Sequence, residues 1–462
     1  MQAPFDILAD MDTPVSAFLK LSDLNPGYLL ESVEQGQRLA RFSFLGFGPR
    51  KEVRLSSDGV LLDGDCIATP DSQAALLDVL RQVVDDLPAL APTVEDLPFS
   101  GGLVGVAGYD IVRRFEHLPE APPPAAGIPE AAYMATESVL VFDHLTRRAA
   151  LLHSGTEAAR EKLRRQVIAR LRGGIPGGSG LPADFSEPVG SLSEAEFCER
   201  VEAAREHIAA GNIYQIVLSV CFEGRTDIAP FEVYRALRLL NPSPYMFFCN
   251  FSDLKVAGSS PEALVRLNGR DAALRPIAGT LPRGKDEDED RQHAETLLAD
   301  PKERAEHVML VDLARNDLGR VAASGTVEVD PYMSIERYSH VMHIVSGVQG
   351  ELAEDKDAFD LFAAAFPAGT LVGAPKVRAM QLIDGFEPVG RGLYAGTVGY
   401  FGKNGDMDQA ITIRTMVFTE GKYSFQAGAG IVADSVPEKE YKEVLAKSAI
   451  LRRALTLAGE GL

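Results

Sequence analysis

Two pairs of glutamates in the C-terminal half of the chain have a spacing that could hold a hard metal ion. Glu303 and Glu306 lie three positions apart in one predicted helix, and Glu440 and Glu443 lie three apart in another. Residues three apart share a helix face, and here each pair continues an apolar stripe. Inward carboxylates are costly unless a partner or a cation neutralises them. Oxygen ligands without a Cys or His cluster favour Mg²⁺, with two interhelical salt-bridge networks as the alternative.

A glycine-rich segment precedes the second glutamate helix. At Gly428 to Gly430 we expect a turn whose bare backbone N–H groups form an anion site at a helix start. Ser435 and Glu438 have the spacing of a capping box, which predicts where that helix begins. Lys447 continues the glutamate face one turn further on and could receive a carboxylate.

Four more polar residues stand among apolar neighbours. Glu262 lies between two predicted strands, and Thr280 follows Gly279 in a predicted turn. Arg414 lies in a predicted strand, where a buried guanidinium requires a partner from the protein or a ligand. His343 is flanked by apolar residues, so a hydrogen-bonded core histidine is the alternative to a catalytic one.

The elements that position these residues must come from a large chain with little affinity for nucleic acid. The chain has 462 residues, is 46% hydrophobic and carries a formal net charge of −20. Its acidity argues against a nucleic-acid partner, because phosphate binding needs a basic surface. There is no run of about 18 apolar residues and no leader-like start, so we expect a cytoplasmic protein without a membrane partner.

Strands and helices alternate irregularly, which predicts an α+β architecture with large sheets. Asp300 and Pro301 predict the start of the first glutamate helix. The clearest linker is the Gly- and Pro-rich stretch 173–182. It divides the chain into an N-terminal region, 1–180, and a C-terminal region, 190–462.

Five segments together resemble the motifs of a known family, the chorismate-utilising enzymes. They are Ser-Pro-Glu at 260–262, Pro-Ile-Ala-Gly-Thr at 276–280, Val-Asp-Leu-Ala-Arg-Asn-Asp-Leu-Gly at 311–319, Gly-Ala-Pro-Lys at 373–376 and Gly-Ala-Gly at 428–430. Within the family, the resemblance is to the large subunits that make anthranilate, and it runs from about 194 to 455. It implies two large, mostly antiparallel β-sheets in a sandwich surrounded by helices, with Mg²⁺ and chorismate in a cleft of the C-terminal region.

The resemblance also implies a role for each matching residue. The metal-site carboxylates match Glu303, Glu306, Glu440 and Glu443. Glu262 matches the general acid, and His343 matches a residue that positions the enolpyruvyl group or assists its loss. The chorismate-binding groups match Thr280, Tyr394, Arg414, Gly428, Ala429, Gly430 and Lys447.

Two positions distinguish activities within the family. Relatives that add water carry a lysine base where this chain has Gln215, whereas ammonia already has its lone pair and needs no such base. Aminodeoxychorismate synthases usually carry a nucleophilic lysine where this chain has Ala278. Both departures favour an anthranilate synthase large subunit that uses chorismate and ammonia. The alternatives are an aminodeoxychorismate synthase component and a catalytically inactive metabolite-binding subunit.

A partner and a regulator follow from the same resemblance. None of the four cysteines lies in a glycine-rich nucleophile turn, so we expect a separate glutamine amidotransferase subunit to supply ammonia. Two segments resemble the family's L-tryptophan feedback site, although a turn after a helix would also explain the prolines. The residues are Leu30, Glu31, Ser32, Asn241, Pro242, Ser243, Pro244, Tyr245 and Met246.

Overall fold

The computed structural model describes residues 4–32, 41–95, 97–118, 122–123, 127–177, 182–337 and 341–462. In its first 200 residues the strands are β1 (Ile7–Leu8), β2 (Tyr28–Glu31), β3 (Phe42–Ser56), β4 (Gly59–Leu62), β5 (Asp65–Ala68), β6 (Gly102–Ala107), β7 (Ala131–Asp143), β8 (Arg148–His153) and β9 (Val189–Gly190). The later strands are β10 (Gln215–Arg225), β11 (Tyr245–Asn250), β12 (Leu254–Ser260), β13 (Ala263–Asn268), β14 (Asp271–Leu274), β15 (Ile277–Pro282), β16 (Glu328–Val329), β17 (Ser334–Arg337), β18 (Val341–Val345), β19 (Val348–Glu351), β20 (Gly373–Ala374), β21 (Thr397–Gly402), β22 (Met407–Ile411), β23 (Thr415–Thr419) and β24 (Lys422–Ile431).

Helices cover the outside of these strands. They are α1 (Pro14–Lys20), α2 (Gln73–Asp85), α3 (Glu157–Leu171), α4 (Glu194–Ala209), α5 (Pro230–Leu240), α6 (Glu287–Ala299), α7 (Pro301–Gly319), α8 (Ala358–Ala365), α9 (Lys376–Phe386) and α10 (Pro437–Gly459). Short 3₁₀ turns lie at Ser22–Leu24, Tyr109–Arg114 and Gly369–Leu371. Among the described helices, none combines the length and the apolar character that a membrane span requires.

The sheets are antiparallel and large, as the sequence predicts. Twenty-one of the described strands form one hydrogen-bonded network, and β15, β18 and β17 form a separate three-stranded sheet. Aromatic residues from both halves of the chain fill the core between the layers. Phe99, for example, packs on Phe44 and on Tyr400, with ring centroids 5.6 and 4.7 Å apart. The predicted α+β fold of large antiparallel sheets surrounded by helices is therefore confirmed.

Strands from the two halves of the chain pair directly with each other. β2 pairs with β11, and β6 pairs with β21 over its whole length. Each of these four strands also pairs with a neighbour from its own half of the chain, so the two halves share one continuous hydrogen-bonded network. The division into regions 1–180 and 190–462 stays a prediction, and the ladders cross it.

The two helices that carry the predicted metal ligands pack by apolar stripes. α7 buries Leu310, Val311, Ala314 and Leu318 and packs against β15, and α10 packs against β24, α4 and α5. Asp300 caps α7 by accepting hydrogen bonds from the amides of Lys302 and Glu303, at 2.8 and 3.1 Å. The prediction of a capping box formed by Ser435 and Glu438 is wrong. α10 begins at Pro437, and Ser435 Oγ instead accepts a hydrogen bond from the amide of Val432 at 3.0 Å.

Candidate functional site

A cleft of about 690 Å³ opens where β10, β24 and α10 meet the 3₁₀ turn Gly369–Leu371. We call it the central cleft. Its wall consists of Val217, Glu262, Thr370, Leu371, Tyr394, Ile413, Arg414, Gln426, Ala427, Gly428, Gly430, Lys447 and Leu451. Six of the residues predicted to bind or transform a substrate therefore lie around one space. They are Glu262, Tyr394, Arg414, Gly428, Gly430 and Lys447.

The glycine segment forms a strand edge and not the predicted turn. Residues 428–430 belong to β24, where Ser219 pairs with Gly428 and Val217 with Gly430. The amides of Ser219 and Val217 point away from β24, toward Glu387 Oε1 and Val372 O. In an antiparallel ladder their partners then direct their own N–H groups to the opposite edge. Donors for an anion are thus present at Gly428 and Gly430, but strand pairing sets their direction.

Space for a side chain is limited at both positions, and most strictly at Gly428, where a Cβ would also lie 2.7 Å from the backbone oxygen of Leu218. A Cβ at Gly428 would lie 2.7 Å from the hydroxyl of Tyr394, and one at Gly430 would lie 2.8 Å from Gln215 Nε2. Ala429 is fully buried, does not line the cleft and pairs with Leu218. The edge therefore brings two backbone amides, a phenol and a side-chain amide together.

Glu262 lies between β12 and β13 and lines the central cleft. Its Oε1 accepts a hydrogen bond from Thr370 Oγ1 at 3.0 Å. Burial raises the pKa of Glu262 to about 7, while Thr370, Arg414 and Lys447 act in the opposite direction. A carboxyl group with such a pKa can hold a proton near neutral pH and donate it, as a general acid must.

Arg414 and Lys447 supply the positive charge of the cleft. Arg414 lies in the turn between β22 and β23, with φ of +50°, and not inside a strand as the sequence predicted. Part of Arg414 is open to solvent, but desolvation by the surrounding wall lowers the pKa of its guanidinium, and Nη1 lies 3.5 Å from Asn241 Oδ1. Lys447 Nζ donates to Gly428 O at 3.1 Å and lies 2.7 Å from Glu443 Oε1. Both cations can therefore receive anionic groups of a ligand.

Thr280 and His343 are neighbours across β15 and β18. Thr280 Oγ1 lies 3.1 Å from His343 Nδ1, which also hydrogen-bonds to Gly279 O at 2.9 Å. Burial lowers the pKa of His343, and the charge of Arg414 lowers it further. This interaction with Arg414 links the pair to the central cleft, although neither residue forms part of the wall given above.

The predicted metal ligands approach the same region from α7 and α10. A Cβ at Gly279 would lie 3.0 Å from Glu303 Oε2, which places this carboxylate beside Thr280. Burial raises the pKa of Glu303, and the charge of Glu306 adds to the effect. Burial also raises the pKa of Glu440, where Glu443 acts in the same direction and Lys302 of α7 opposes it. The effect of Lys302 on Glu440 shows that the N-terminal turns of α7 and α10 lie near each other.

This donor set fits a hard cation that shares its ligands with a substrate. Among the described residues, no three His, Cys, Asp or Glu side chains already stand together in an arrangement that could hold a metal ion. Mg²⁺ needs only one or two protein carboxylates, and it takes its other oxygens from water and substrate. Burial, with like charge as a smaller contribution, raises the pKa of Glu303 and Glu440. A bound cation would favour the ionised form of both carboxylates.

A second space of about 780 Å³ lies where β2 and β11 pair. We call it the β2–β11 cavity. Of the residues predicted for tryptophan, its wall contains Leu30, Glu31, Ser32, Pro244, Tyr245 and Met246. The wall does not include Asn241, Pro242 or Ser243. Asn241 instead donates to Ser259 Oγ at 3.0 Å, and the contact of these three residues with tryptophan stays a prediction.

Sequence reasoning missed Thr370 in the central cleft and a charged pair in the second cavity. Arg266 of β13 donates to Tyr245 Oη at 2.8 Å and to Asp408 Oδ1 at 3.2 Å, and all three line that cavity. The only local signal for Thr370 was its place between Gly369 and a motif of the resembled family. Arg266 and Asp408 lie on the paired strands β13 and β22. In the sequence alone, each has the pattern of an ordinary surface charge.

Comparison with known proteins gives consistent results. The family model described as chorismate binding enzyme matches residues 25–453. Anthranilate synthase component 1 of Thermus thermophilus is 45% identical over 98% of this chain and 98% of its own length. The protein of the same name from Pseudomonas putida is 44% identical over 98% and 94%.

Solved structures agree with these sequence matches. Anthranilate synthase component I from Streptococcus pneumoniae has a TM-score of 0.80 at 35% identity, covering 98% of this chain and 100% of that one. The menaquinone-specific isochorismate synthase of Escherichia coli, at 21% identity and a TM-score of 0.69, shares the fold.

Proposed function

Because this chain belongs to the chorismate binding enzyme family, we propose that it is the large subunit of an anthranilate synthase. It converts chorismate and ammonia into anthranilate, pyruvate and water. The central cleft supplies what this chemistry needs, which is an acid, cations for an anionic substrate and donors for its oxygens.

The observation that carries the proposal is Glu262. This carboxyl group has a pKa of about 7 because it is buried, and it shares a cleft with Arg414 and Lys447. It donates its proton to the C4 hydroxyl of chorismate, which leaves as water while ammonia adds at C2. The C2 proton and the enolpyruvyl group are then lost, the latter as pyruvate, and the ring becomes aromatic. His343 and Thr280, which contact each other, position the enolpyruvyl end.

Chorismate carries two carboxylates, and the cleft has groups for both. Arg414 and Lys447 neutralise negative charge, and the amides of Gly428 and Gly430 donate to carboxylate oxygens. Tyr394 holds its hydroxyl against Gly428, where it contributes a further donor. Ala429 supports this edge from the buried side. The binding free energy thus comes from charge-assisted hydrogen bonds in a partly enclosed space.

Mg²⁺ supplies a positive charge that neutralises the ring carboxylate when it is bound. Glu303, Glu306, Glu440 and Glu443 would hold it, directly or through water. The raised pKa values of Glu303 and Glu440 support this assignment. Titration of the purified chain with Mg²⁺ by calorimetry, with and without the variant Glu303→Gln, would measure this binding separately from activity.

Two residues support ammonia over other nucleophiles. Gln215 cannot act as the base that water requires, and its Nε2 lies 3.4 Å from Glu306 Oε1. Ala278 is buried in β15 and offers no nucleophile. We propose that ammonia arrives from a separate glutamine amidotransferase subunit.

We also propose that L-tryptophan inhibits the enzyme from the β2–β11 cavity. The aromatic and aliphatic residues Leu30, Phe44, Met246 and Tyr400 would surround an indole. Arg266 and Asp408 carry the opposite charges that an amino acid's carboxylate and ammonium need. Activity measured against increasing tryptophan tests this, and no inhibition at millimolar concentration would contradict it.

The central experiment is direct product analysis. The purified chain is incubated with chorismate, Mg²⁺ and ammonium at mildly alkaline pH, and the product is identified by mass and fluorescence. We expect anthranilate and pyruvate in equal amounts, with both lost on addition of EDTA. Aminodeoxychorismate would instead assign the chain to that activity and show that Ala278 does not discriminate. Bound but unconverted chorismate would indicate a catalytically inactive binding subunit, unless activity returned with the amidotransferase.

A further inference from the structure

Behind the central cleft lies a buried ion pair that no step of the proposed reaction uses. Arg391 and Glu387 have side chains that are 1% and 3% exposed. Arg391 Nε and Nη2 donate to the two carboxylate oxygens of Glu387 at 2.9 and 2.7 Å. Burying such a pair gains little stability compared with apolar residues of the same volume, so its place in the structure calls for another explanation.

The remaining hydrogen bonds of the pair go to the wall of the cleft. Arg391 Nη1 donates to Leu371 O and Nη2 donates to Val217 O, both at 2.7 Å. The guanidinium carbon lies 5.6 Å from the ring centroid of Tyr394. These three residues all line the cleft. One guanidinium thus contacts three separate segments of the wall from its far side.

Glu387 extends the contacts to the glycine strand. Its Oε1 accepts from Ser219 N at 2.9 Å and from Ser219 Oγ at 2.6 Å. Ser219 Oγ in turn accepts from Gln426 Nε2 at 2.8 Å, and Gln426 lines the cleft two residues before Gly428.

We propose that Arg391 and Glu387 are positioning residues for the reaction and hold the proton donor in place through the 3₁₀ turn Gly369–Leu371. The bond to Leu371 O fixes the residue next to Thr370, whose hydroxyl donates to Glu262. When this bond is lost, Thr370 can move away from Glu262. The ionised carboxylate then loses a donor, and Glu262 keeps its proton to higher pH.

The test uses Arg391→Lys, which keeps the positive charge but cannot reach all four acceptors. We expect kcat for anthranilate, measured with ammonia at saturation, to fall about 10- to 100-fold. We also expect the pH above which kcat declines to rise by about 0.5 unit or more, because Glu262 must be protonated to act. Arg114→Lys is the matched control. Arg114 makes a similar two-bond pair with Glu130, at 3.0 and 3.0 Å, and lines neither space.

Loss of stability alone would lower the amount of active enzyme without moving the pH profile. An unchanged kcat, or a lower kcat with an unmoved profile, would therefore overturn the proposal. If Arg391→Lys does not fold, the double variant Glu387→Gln with Arg391→Gln leaves no unpaired buried charge and must show the same shift. The inference rests on the proposed function, but the two can fail separately. A wild-type chain that makes no anthranilate refutes the function, whereas an active wild type with an unshifted variant refutes only the positioning role.

Discussion

The central cleft and the β2–β11 cavity are similar in size, about 690 and 780 Å³, but they differ in how their charges are paired. In the cavity, Glu31 accepts a hydrogen bond from Arg238 at 3.1 Å, and Asp408 accepts one from Arg266 at 3.2 Å. In the cleft, Lys447 pairs with Glu443 at 2.7 Å, but among the described residues Glu262 forms no ion pair, and Arg414 and Lys447 act on it only through their charge.

Under the proposed function, this difference would separate a site for chemistry from a site for recognition. A charged side chain that is held in one geometry by an ion-pair partner can recognise the shape and polarity of a ligand. An unpaired, desolvated acid keeps a shifted pKa and can exchange its proton, which costs stability until the substrate arrives. Burial also raises the pKa of Asp408, but Arg266 and Tyr245 oppose this through direct hydrogen bonds.

The largest expected effect concerns the proton of Glu262. Glu262→Gln keeps the shape of the side chain and an oxygen that can accept from Thr370, but it removes the acid. We expect kcat to fall about 10²- to 10⁴-fold, while the Kd for chorismate, measured by equilibrium dialysis, changes little. Turnover near that of the wild type would show that Glu262 is not the proton donor, and the chemical role of the central cleft would lose its support.

Arg414→Lys is expected to have the next largest effect. Lysine keeps the charge but loses the planar pair of donors that suits a carboxylate. The KM for chorismate should rise about 10- to 100-fold, corresponding to about 1.4–2.8 kcal/mol, and steady-state kinetics at saturating ammonia and Mg²⁺ would measure it. An unchanged KM would mean that Arg414 does not contact the substrate.

The equivalent change in the cavity should leave catalysis alone. Arg266→Lys alters the pair with Asp408, so the inhibition constant for tryptophan should rise about tenfold. Initial rates over a range of tryptophan concentrations would show this, and kcat and the KM for chorismate serve as internal controls. If Arg266→Lys changed the KM for chorismate and left inhibition by tryptophan unaltered, the β2–β11 cavity would bind the substrate and not the inhibitor.

The smallest effect is on stability and depends on pH. The pKa of Glu262 is about 7 in the folded protein, against an ordinary value of 4.5, so folding binds its proton more tightly. The wild type therefore loses stability as pH rises from about 4.5 through 7, and Glu262→Gln does not. At pH 8 the variant should be more stable by about 1–3 kcal/mol, with a smaller difference at pH 5.5. Urea unfolding at both pH values checks this, and a variant less stable at pH 8 would contradict it.

Local chemistry in the sequence predicted some elements correctly. Asp300 and Pro301 predicted the start of α7, because capping depends on residues within one turn. The family resemblance placed Tyr394 and Lys447 with Glu262, and all three line the central cleft. No local pattern joined these residues, since they come from widely separated parts of the chain.

Other features depend on distant pairing and could not be predicted. The glycines at 428 and 430 predicted a turn, but their partners Ser219 and Val217 lie about 210 residues earlier in the chain and extend the segment into a strand. The alternation within that ladder, and not the flexibility of glycine, turns their N–H groups away from β10. Arg266 and Asp408 could likewise be recognised as a pair only after β13 and β22 were aligned.

The ladder between β6 and β21 has a consequence for how the protein is made. Ala107 pairs with Thr397, so one edge of β6 must wait for about 290 further residues before its partner exists. At about 5–20 residues per second on the ribosome, that delay is roughly 15–60 s. β2 waits likewise for β11. The sandwich therefore closes only when translation is almost complete. Until then the nascent chain exposes unpaired strand edges, which are prone to aggregate. We expect chaperones to bind the growing chain during this period.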